Sequence, residues 1–261
     1  MRILTIGDIF GRPGRRLIEV KLPELLRDRA IDFCIANIEN AAAGFGITRE
    51  IAHEMFAAGI DVFTSGNHIW DKKQIVPYLA EQPRLLRPHN YPKGVPGTGV
   101  YIGETKKGER VGVLNLQGRT FMAPIDCPFT VGFETAEAMR RETPVIVVDF
   151  HAEATSEKQG MGWHLDGRVS AVVGTHTHVL TADERLLPRG TAYITDIGMT
   201  GAHDSVIGSD PRIALERMML QIPNRLEPAS GNLRITGAII DIDASTGRAS
   251  GIERINLPFN L

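Results

Sequence analysis

Short, mostly apolar runs that end at polar residues or glycine recur along the first third of the chain. The runs at 3–6, 33–38 and 61–65 are each followed by a loop and then by a stretch with helical spacing of apolar positions. Short runs that are apolar throughout are typical of strands buried on both faces. A strand, a loop and a helix repeated three times favour an α/β fold with a mainly parallel sheet and helices on its faces.

Capping residues set the ends of the predicted helices. The first helix is predicted over 15–29, the second begins after Thr48 and ends before Gly59, and the third extends to Gln82. The Thr48 hydroxyl suits an N-cap, and glycine commonly ends a helix. The segment Gly-Arg-Pro-Gly-Arg-Arg at 11–16 is interpreted either as an anion-binding loop or as the beginning of the first helix, and the second interpretation is favoured.

The rest of the chain is predicted to form hairpins, single strands and two helices. In chain order they are a hairpin of 97–103 with 110–117, a helix over 134–141, strands over 145–150, 170–174 and 192–195, a helix over 211–221, and a hairpin of 233–242 with 249–255. Because no linker, repeat or low-complexity tract interrupts the pattern, a single domain over 1–261 is predicted.

Composition narrows the classes of protein. Hydrophobic residues at 43% and charged residues at 23% are ordinary for a soluble enzyme. The net charge of −2 gives no overall basic field, so direct binding of duplex nucleic acid is not expected and any phosphate affinity must be local. The two cysteines do not make a disulfide scaffold, and no segment reaches the ~20 apolar residues of a membrane span. A cytoplasmic protein without membrane contact is predicted.

Side chains of the types that commonly bind metals follow the ends of five predicted strands. Gly66-Asn67-His68 comes directly after one of them, and such a triplet alone is more often a loop in which the Asn caps a helix. The repetition at other strand ends changes the interpretation, because the carboxyl ends of parallel strands share one edge of a sheet. The predicted set is Asp8, Glu39, Asn40, Asn67, His68, His151, His176 and His178.

His176-Thr177-His178 is the most informative part of this set. In an extended chain, residues two apart lie on the same side, about 6–7 Å from each other. That spacing is long for one ion but suits two ions about 3.5–4 Å apart, and a carboxylate such as Glu39 could bridge them. Without a thiolate in the set, a structural zinc site is disfavoured, whereas Mn, Fe or a catalytic Zn remain open.

Five segments match one family in chain order. They are GDIFG at 7–11, ENAAAG at 39–44, GNHIWD at 66–71, DFHAE at 149–153 and GTHTH at 174–178. In these segments the sequence resembles the calcineurin-like metallophosphoesterases, and within them the YmdB branch of bacterial phosphodiesterases. The resemblance implies a two-sheet β-sandwich flanked by helices, two metal ions per subunit (Fe or Mn, with Zn less favoured) and a homo-oligomer, either a dimer or a tetramer. It also implies hydrolysis of small phosphodiesters, including 2′,3′-cyclic nucleotides such as 2′,3′-cAMP.

The resemblance also implies a role for each residue of the predicted set. The two ligand groups, which share Glu39 as a bridge, are Asp8, Glu39, Asn40 and His178 for one ion, and Glu39, Asn67, His151 and His176 for the other. His68 would be the general acid. The resulting hypothesis is that a hydroxide between the two ions attacks phosphorus while His68 donates a proton to the departing ribose oxygen.

Two positions depart from the broader superfamily. Phe10 stands where the superfamily has a histidine ligand, and Asn40 is predicted to replace that ligand through its side-chain oxygen. Asp71 stands three residues past His68 instead of next to it. His164 and His203 lie in glycine-bearing segments and are further candidates for contact with the substrate.

Two other classes of protein remain open at this point. A metal-dependent amidohydrolase also uses a His-x-His motif with carboxylates, but it usually carries the motif on its first strand, whereas here it lies at 176–178. A non-catalytic regulator of RNA turnover would need a basic surface rich in aromatic residues, and the net charge of −2 with 6% aromatic residues gives no sign of one.

Overall fold

Two β-sheets pack face to face between layers of helices in the computed structural model, which describes residues 1–259. The strands are β1 (Arg2–Ile6), β2 (Asp8–Ile9), β3 (Phe33–Asn37), β4 (Val62–Thr64), β5 (Val100–Glu104), β6 (Arg110–Gln117), β7 (Ile146–His151), β8 (Ala171–Thr175), β9 (Arg185–Leu186), β10 (Ala192–Ile194), β11 (Met199–Ala202), β12 (Leu233–Ile242) and β13 (Ala249–Phe259). The helices are α1 (Gly11–Asp28), α2 (Arg49–Ala57), α3 (Ile75–Glu81), α4 (Pro128–Met139), α5 (Thr155–Leu165), α6 (Pro211–Leu220) and a 3₁₀ helix (Asn67–Trp70).

Both sheets mix parallel and antiparallel pairs. The first has the order β2-β11-β12-β1-β3-β4, with β13 paired to β12, and the second has the order β5-β6-β7-β8-β10-β9. Strands β1, β3 and β4 are parallel to one another, as are β6, β7, β8 and β10, whereas the two predicted hairpins supply antiparallel pairs. The prediction of a mainly parallel sheet is therefore wrong in part. The parallel strands are present, but the hairpins add antiparallel strands beside them and make both sheets mixed.

Hydrophobic clusters fill the space between the layers of the described residues. Between the sheets, Ile3 and Ile35 of the first sheet share a cluster with Val147 and Val173 of the second. A second cluster buries helices α1 to α3 on the outer face of the first sheet, and a third buries α4 and α5 on the outer face of the second. This layering confirms the expected two-sheet sandwich flanked by helices. The last two positions of the predicted domain, 260 and 261, lie outside the described residues.

The ends of some helices differ from the prediction. Helix α1 begins at Gly11 instead of at residue 15, because Pro13 is tolerated in a first turn, where backbone N–H groups lack helical partners. Residues 11–16 are therefore the beginning of that helix. Helix α4 begins at Pro128, six residues before the predicted 134, with proline again in the first turn.

Helix α5 was not predicted from the sequence. It contains Gly160 and Gly162, and it buries the polar side chains of Glu157 and Lys158, so its apolar positions show no helical period. Within 1–259, no helix combines the length and the apolar character that are needed to cross a membrane.

Candidate metal centre and its cavity

The carboxyl ends of strands β1, β3, β4, β7 and β8 bring the predicted residues together at one edge of the sandwich. Glu39 contacts the imidazole of His151 and accepts a hydrogen bond from the His68 backbone N–H. Asp8 lies against the backbone of His176 and the imidazole of His178. Asn40 lines the same cavity as Glu39 and His68. The eight residues of the predicted set, scattered over 171 positions of the sequence (8–178), are therefore neighbours in the fold.

The imidazole of His151 lies at the centre of one group of donor atoms. Its Nε2 is 2.9 Å from Glu39 Oε1, 3.2 Å from Asn67 Oδ1 and 3.0 Å from His176 Nδ1. One donor atom each from Glu39, His151 and His176 lies within 4.8 Å of the others. Donor atoms at such separations can share one ion at the usual ligand distances of about 2.0–2.2 Å. This group is a candidate metal site and coincides with one of the two predicted ligand groups.

The other nitrogen of His151 is fixed by a buried network. Its Nδ1 is 2.9 Å from the hydroxyl of Thr175, and that hydroxyl donates to Asp149 Oδ1 at 2.7 Å. The Thr64 hydroxyl donates to the other oxygen of Asp149. Because the Thr175 hydroxyl donates its only proton to Asp149, its oxygen must accept from His151 Nδ1. His151 therefore presents Nε2 to Glu39. The network sets both the orientation and the tautomer of this imidazole.

The charges around His151 favour a cation at this position. Burial alone would lower the pKa of His151, but the carboxylates of Glu39, Asp8 and Asp149 raise the pKa to about 9. Burial likewise opposes ionisation of Glu39, yet the neighbouring charge of His151 lowers the Glu39 pKa to about 2. Burial and the charge on His151 lower the pKa of His176 to about 3, so His176 stays neutral and able to bind a metal. The same carboxylates that favour positive charge on His151 would stabilise a cation bound at this position.

Two buried oxygens beside this group have no hydrogen-bond partner among the described residues. They are Asp8 Oδ1 and Asn40 Oδ1. The Asn40 amide nitrogen donates to the Gly44 carbonyl at 2.9 Å, which leaves the oxygen as its free atom. Buried polar atoms without partners are costly and few in native proteins. A cation would satisfy both oxygens, so this part of the site also fits a metal.

His178 completes the second group. Its Nε2 is 3.7 Å from Asp8 Oδ1, and its Nδ1 donates to the Ile207 carbonyl at 2.8 Å. That hydrogen bond leaves Nε2 as the lone-pair nitrogen, directed towards Asp8. Phe10, at the position where the superfamily has a histidine, packs its ring edge-on against His178 with centroids 5.6 Å apart.

The extended conformation assumed for the His-x-His segment is wrong. Strand β8 ends at Thr175, and the backbone φ angles of His176 and His178 are 99° and 65°, both in the left-handed region. Non-glycine residues adopt that region at a cost of roughly 1–3 kcal/mol each and keep it only where the surroundings enforce it. The two histidines are therefore not separated as in an extended strand, although their imidazoles do face two different groups of donor atoms.

A buried carboxylate holds this strained segment in place. Asp196 Oδ2 accepts from the Thr177 backbone N–H at 3.2 Å, from the Thr177 hydroxyl at 2.8 Å and from Lys158 Nζ at 2.6 Å. The side chains of Lys158 and Asp196 are each 1% exposed. Lys158, Thr177 and Asp196 are called the Asp196 clamp below. None of the three was predicted from the sequence, although Asp196 directly follows a predicted strand and obeys the same strand-end rule.

A second carboxylate orients His176. Glu153 Oε2 lies 3.0 Å from His176 Nε2, while His176 Nδ1 faces His151. A carboxylate on the outer nitrogen of a metal-binding imidazole fixes the ring and raises its basicity as a ligand. Glu153 belongs to one of the five matching segments, but no role was predicted for it.

The orienting partner of His68 is Asp71. In the 3₁₀ helix, residues three apart lie on the same side, and His68 Nδ1 is 2.8 Å from Asp71 Oδ2. The His68 backbone N–H donates to Glu39 Oε2 at 2.9 Å, and the Phe45 ring packs against the imidazole with centroids 5.1 Å apart. With Nδ1 occupied by Asp71, Nε2 is the atom that His68 can offer to a ligand in the cavity.

Gly66 explains the close packing around His151. A Cβ atom at this position would lie 2.0 Å from His151 Cδ2, far inside van der Waals contact. The backbone at Gly66 therefore passes directly beside the imidazole of His151, an approach that only glycine allows.

A cavity of about 600 Å³ adjoins the candidate centre. Glu39, Asn40, His68, His176 and His178 line one side of it, and α6 with the loop before it lines the other. His164 bonds to the Phe129 carbonyl and His203 to the Met199 carbonyl, and neither lines the cavity. The prediction that these two histidines contact substrate is not supported by the cavity.

Comparison with known proteins agrees with this arrangement. A model of the family described as "YmdB-like protein" matches residues 4–255. The chain is 49% identical over 255 residues to a protein of Bacillus subtilis (strain 168) named 2′,3′-cyclic-nucleotide 2′-phosphodiesterase, and the match covers 98% of this chain and 96% of the relative.

Two solved structures share the fold over nearly the whole chain. A hypothetical protein from Thermus thermophilus has a TM-score of 0.92 and 40% identity, with 99% of both chains covered. A phosphatase from Mycoplasma pneumoniae has a TM-score of 0.91 and 31% identity, with 99% of this chain and 93% of the other covered. The predicted resemblance is confirmed: the chain belongs to the YmdB-like family.

Proposed function

We propose that this protein is a metal-dependent phosphodiesterase that hydrolyses 2′,3′-cyclic nucleotides. The observation that carries the proposal is a pair of buried oxygens, on Asp8 and Asn40, that have no hydrogen-bond partner within residues 1–259 and lie beside the donor group of Glu39, His151 and His176. His68, which is oriented by Asp71, faces the same cavity. The relatives named as a phosphodiesterase and a phosphatase support phosphoester hydrolysis as the reaction.

Two cations would be held in this proposal, with Glu39 common to both sets of donor atoms. Asp8, Asn40 and His178 would complete the set for one ion, and Asn67, His151 and His176 the set for the other. Oxygen and imidazole donors without a thiolate suit Fe or Mn, with Zn less favoured. When bound, such a pair of divalent ions supplies a nucleophile from water at neutral pH and stabilises charge on the phosphoryl oxygens.

His68 acts on the leaving group in this proposal. Its Nε2 faces the cavity while Asp71 holds Nδ1, so a protonated His68 can donate to the ribose oxygen that leaves phosphorus. For a 2′,3′-cyclic nucleotide and the bond named in the Bacillus subtilis relative, that oxygen is the 2′ oxygen. A positioned acid of this kind contributes roughly 10²–10⁴ in rate. The carboxylate of Asp71, 2.8 Å from Nδ1, keeps the ring of His68 oriented.

A direct assay tests the function. Protein reconstituted with Mn²⁺ or Fe²⁺ is compared on 2′,3′-cAMP, on a generic phosphodiester and on a phosphomonoester, with and without a chelator. We expect hydrolysis of the cyclic nucleotide that the chelator abolishes. His68→Ala should retain its metal and lose turnover, whereas His164→Ala, a histidine outside the cavity, should behave as wild type. Full activity of His68→Ala would remove this residue from the mechanism, and metal-loaded protein without phosphoesterase activity would refute the proposal.

The remaining sequence predictions concern the setting of the enzyme. Cys34 and Cys127 are both free thiols, which supports a reducing compartment such as the cytoplasm. A dimer or a tetramer stays a prediction from the family resemblance. The names of the relatives favour phosphoester hydrolysis over amide hydrolysis. If the assay above showed no turnover of any substrate, a non-catalytic regulator would be the remaining class.

A further inference from the structure

The cavity extends well past the candidate metal centre to helix α6. The residues on that far side, here called the α6 wall, are Ala214, Arg217 and Met218 of α6, Gln221 at its C-cap, and Val206 and Ile207 of the preceding loop. A volume of about 600 Å³ falls within the usual range for small-molecule sites of about 300–1,000 Å³. A phosphate group held at the metal centre would fill only one end of it.

Helix α6 contributes little of its apolar surface to the core. Ala214 is its single buried residue, whereas Met218 on the helix and Ile207 just before it, which both line the cavity, are 59% and 56% exposed. Exposed apolar side chains grouped at the mouth of a cavity mark a binding surface more often than chance exposure. Methionine suits such a surface because its flexible, polarisable side chain adapts to flat aromatic groups.

The α6 wall is tied to the metal centre by short contacts. The Ile207 carbonyl accepts from His178 Nδ1 at 2.8 Å. Gly208 packs on the ring of Phe10 so closely that a Cβ atom would lie 2.7 Å from it. The loop before α6 is therefore held against the residues that would bind one of the ions. A ligand anchored at the metals meets the wall at a fixed separation.

The polar end of the wall is also suited to a ligand. The guanidinium of Arg217 makes no hydrogen bond or ion pair with other residues in the range 1–259, although it lines the cavity. A guanidinium stacks on aromatic faces and donates several hydrogen bonds in one plane. The side-chain nitrogen of Gln221 donates to the Met218 carbonyl at 2.8 Å, which leaves the oxygen of Gln221 as its free polar atom. An apolar surface with a donor and an acceptor at one end matches a flat heterocycle with a polar edge.

We propose that the α6 wall is the nucleobase subsite of this enzyme. In a bound 2′,3′-cyclic nucleotide, the base packs against Met218 while Arg217 contacts its face or its edge, and the cyclic phosphate lies at the metal centre. This inference rests on the proposed function and specifies which part of the substrate the cavity selects. It assigns specificity to α6, which lies outside the five segments that carry the family resemblance.

The test compares two substrates with the same reacting bonds. One is 2′,3′-cAMP, and the other is the 2′,3′-cyclic phosphate of methyl riboside, which lacks the base. Met218→Ala and Arg217→Ala should each lower kcat/KM for 2′,3′-cAMP relative to the baseless substrate by roughly 10-fold, the usual size of a base-stacking contact. The loss should be in KM, because the base binds alike before and during the reaction.

Matched controls lie on the same helix. Met219→Ala and Arg212→Ala change the same residue types at positions of α6 that do not line the cavity, and they should leave both substrates unaffected. Equal losses on both substrates in Met218→Ala and Arg217→Ala, or no loss on either, would overturn the inference. So would a wild-type enzyme that hydrolyses both substrates equally well, while the proposed function would stand. If the wild type hydrolyses neither, the proposed function itself fails.

Discussion

Replacing Thr177 by valine removes one hydroxyl from the Asp196 clamp and changes the shape of the side chain very little. The hydroxyl donates to Asp196 Oδ2 at 2.8 Å, and the backbone N–H of Thr177 and the Lys158 ammonium still bind the same oxygen after the substitution. The neighbouring His176 and His178 have φ angles of 99° and 65°, so the backbone on both sides of Thr177 is strained. We therefore expect this segment to relax in Thr177→Val when no metal is bound.

The size of the effect follows from the bond that is lost. A hydrogen bond to a charged acceptor contributes roughly 1.5–3 kcal/mol, a factor of roughly 10–150 in an equilibrium constant. Since relaxation moves both imidazoles away from their places, this free energy should be lost mainly from metal binding. Affinity for the metal ions should fall by roughly 10–100-fold, as is usual when a residue that orients a ligand is changed.

Competition with a chromophoric chelator measures this change directly. Thr177→Ser keeps the hydroxyl and should restore the affinity of the wild type. Thr191→Val is the control for the loss of a buried threonine hydroxyl elsewhere, since the Thr191 hydroxyl donates to the Val169 carbonyl at 2.7 Å, away from the centre. This control should lower the melting temperature without changing metal affinity. Wild-type metal affinity in Thr177→Val would refute a positioning role for the clamp.

Three further substitutions test other parts of the site. Asp71→Asn keeps a hydrogen-bond acceptor beside His68 Nδ1 but removes its negative charge. Turnover should fall by up to roughly fivefold at unchanged metal content, the limit for a partly exposed pair worth about 1 kcal/mol, and an equal rate would show that the charge is not used. Gly66→Ala inserts a Cβ atom 2.0 Å from His151, so unfolding free energy should fall by about 1–3 kcal/mol or more, measured by denaturant titration, and metal content should fall with it. Asn40→Ala should remove one metal ion per subunit in elemental analysis while costing the metal-free protein about 1 kcal/mol, the size of the one hydrogen bond to the Gly44 carbonyl that is lost. Unchanged metal content would exclude Asn40 as a ligand.

The location of the candidate centre could be predicted from the sequence because it depends on topology. Glu39, Asn67 and His151 each follow or end a short apolar run, and parallel strands place such ends at one edge of a sheet. The same rule applied to Asp196 would have found the clamp. Its partner Lys158 could not be predicted to be buried. In the sequence, a lysine near two glycines is typical of an exposed loop.

Local backbone conformation could not be predicted to the same extent. The φ angles of His176 and His178 depend on Asp196 and on Ile207, which are distant in sequence. The pairing of His68 with Asp71 required knowledge that this short segment forms a 3₁₀ turn. The α6 wall has apolar residues that a sequence pattern would assign to a core, and only the fold shows that they border the cavity instead.

Crystals grown with Mn²⁺, with anomalous diffraction recorded at the manganese edge, test the central claim most directly. The claim predicts two peaks per subunit about 3.5–4 Å apart, one on each side of the Glu39 carboxylate. One peak should be within bonding distance of Asp8 and His178, and the other within bonding distance of His151 and His176. A single peak, or peaks that do not touch Glu39, would contradict it.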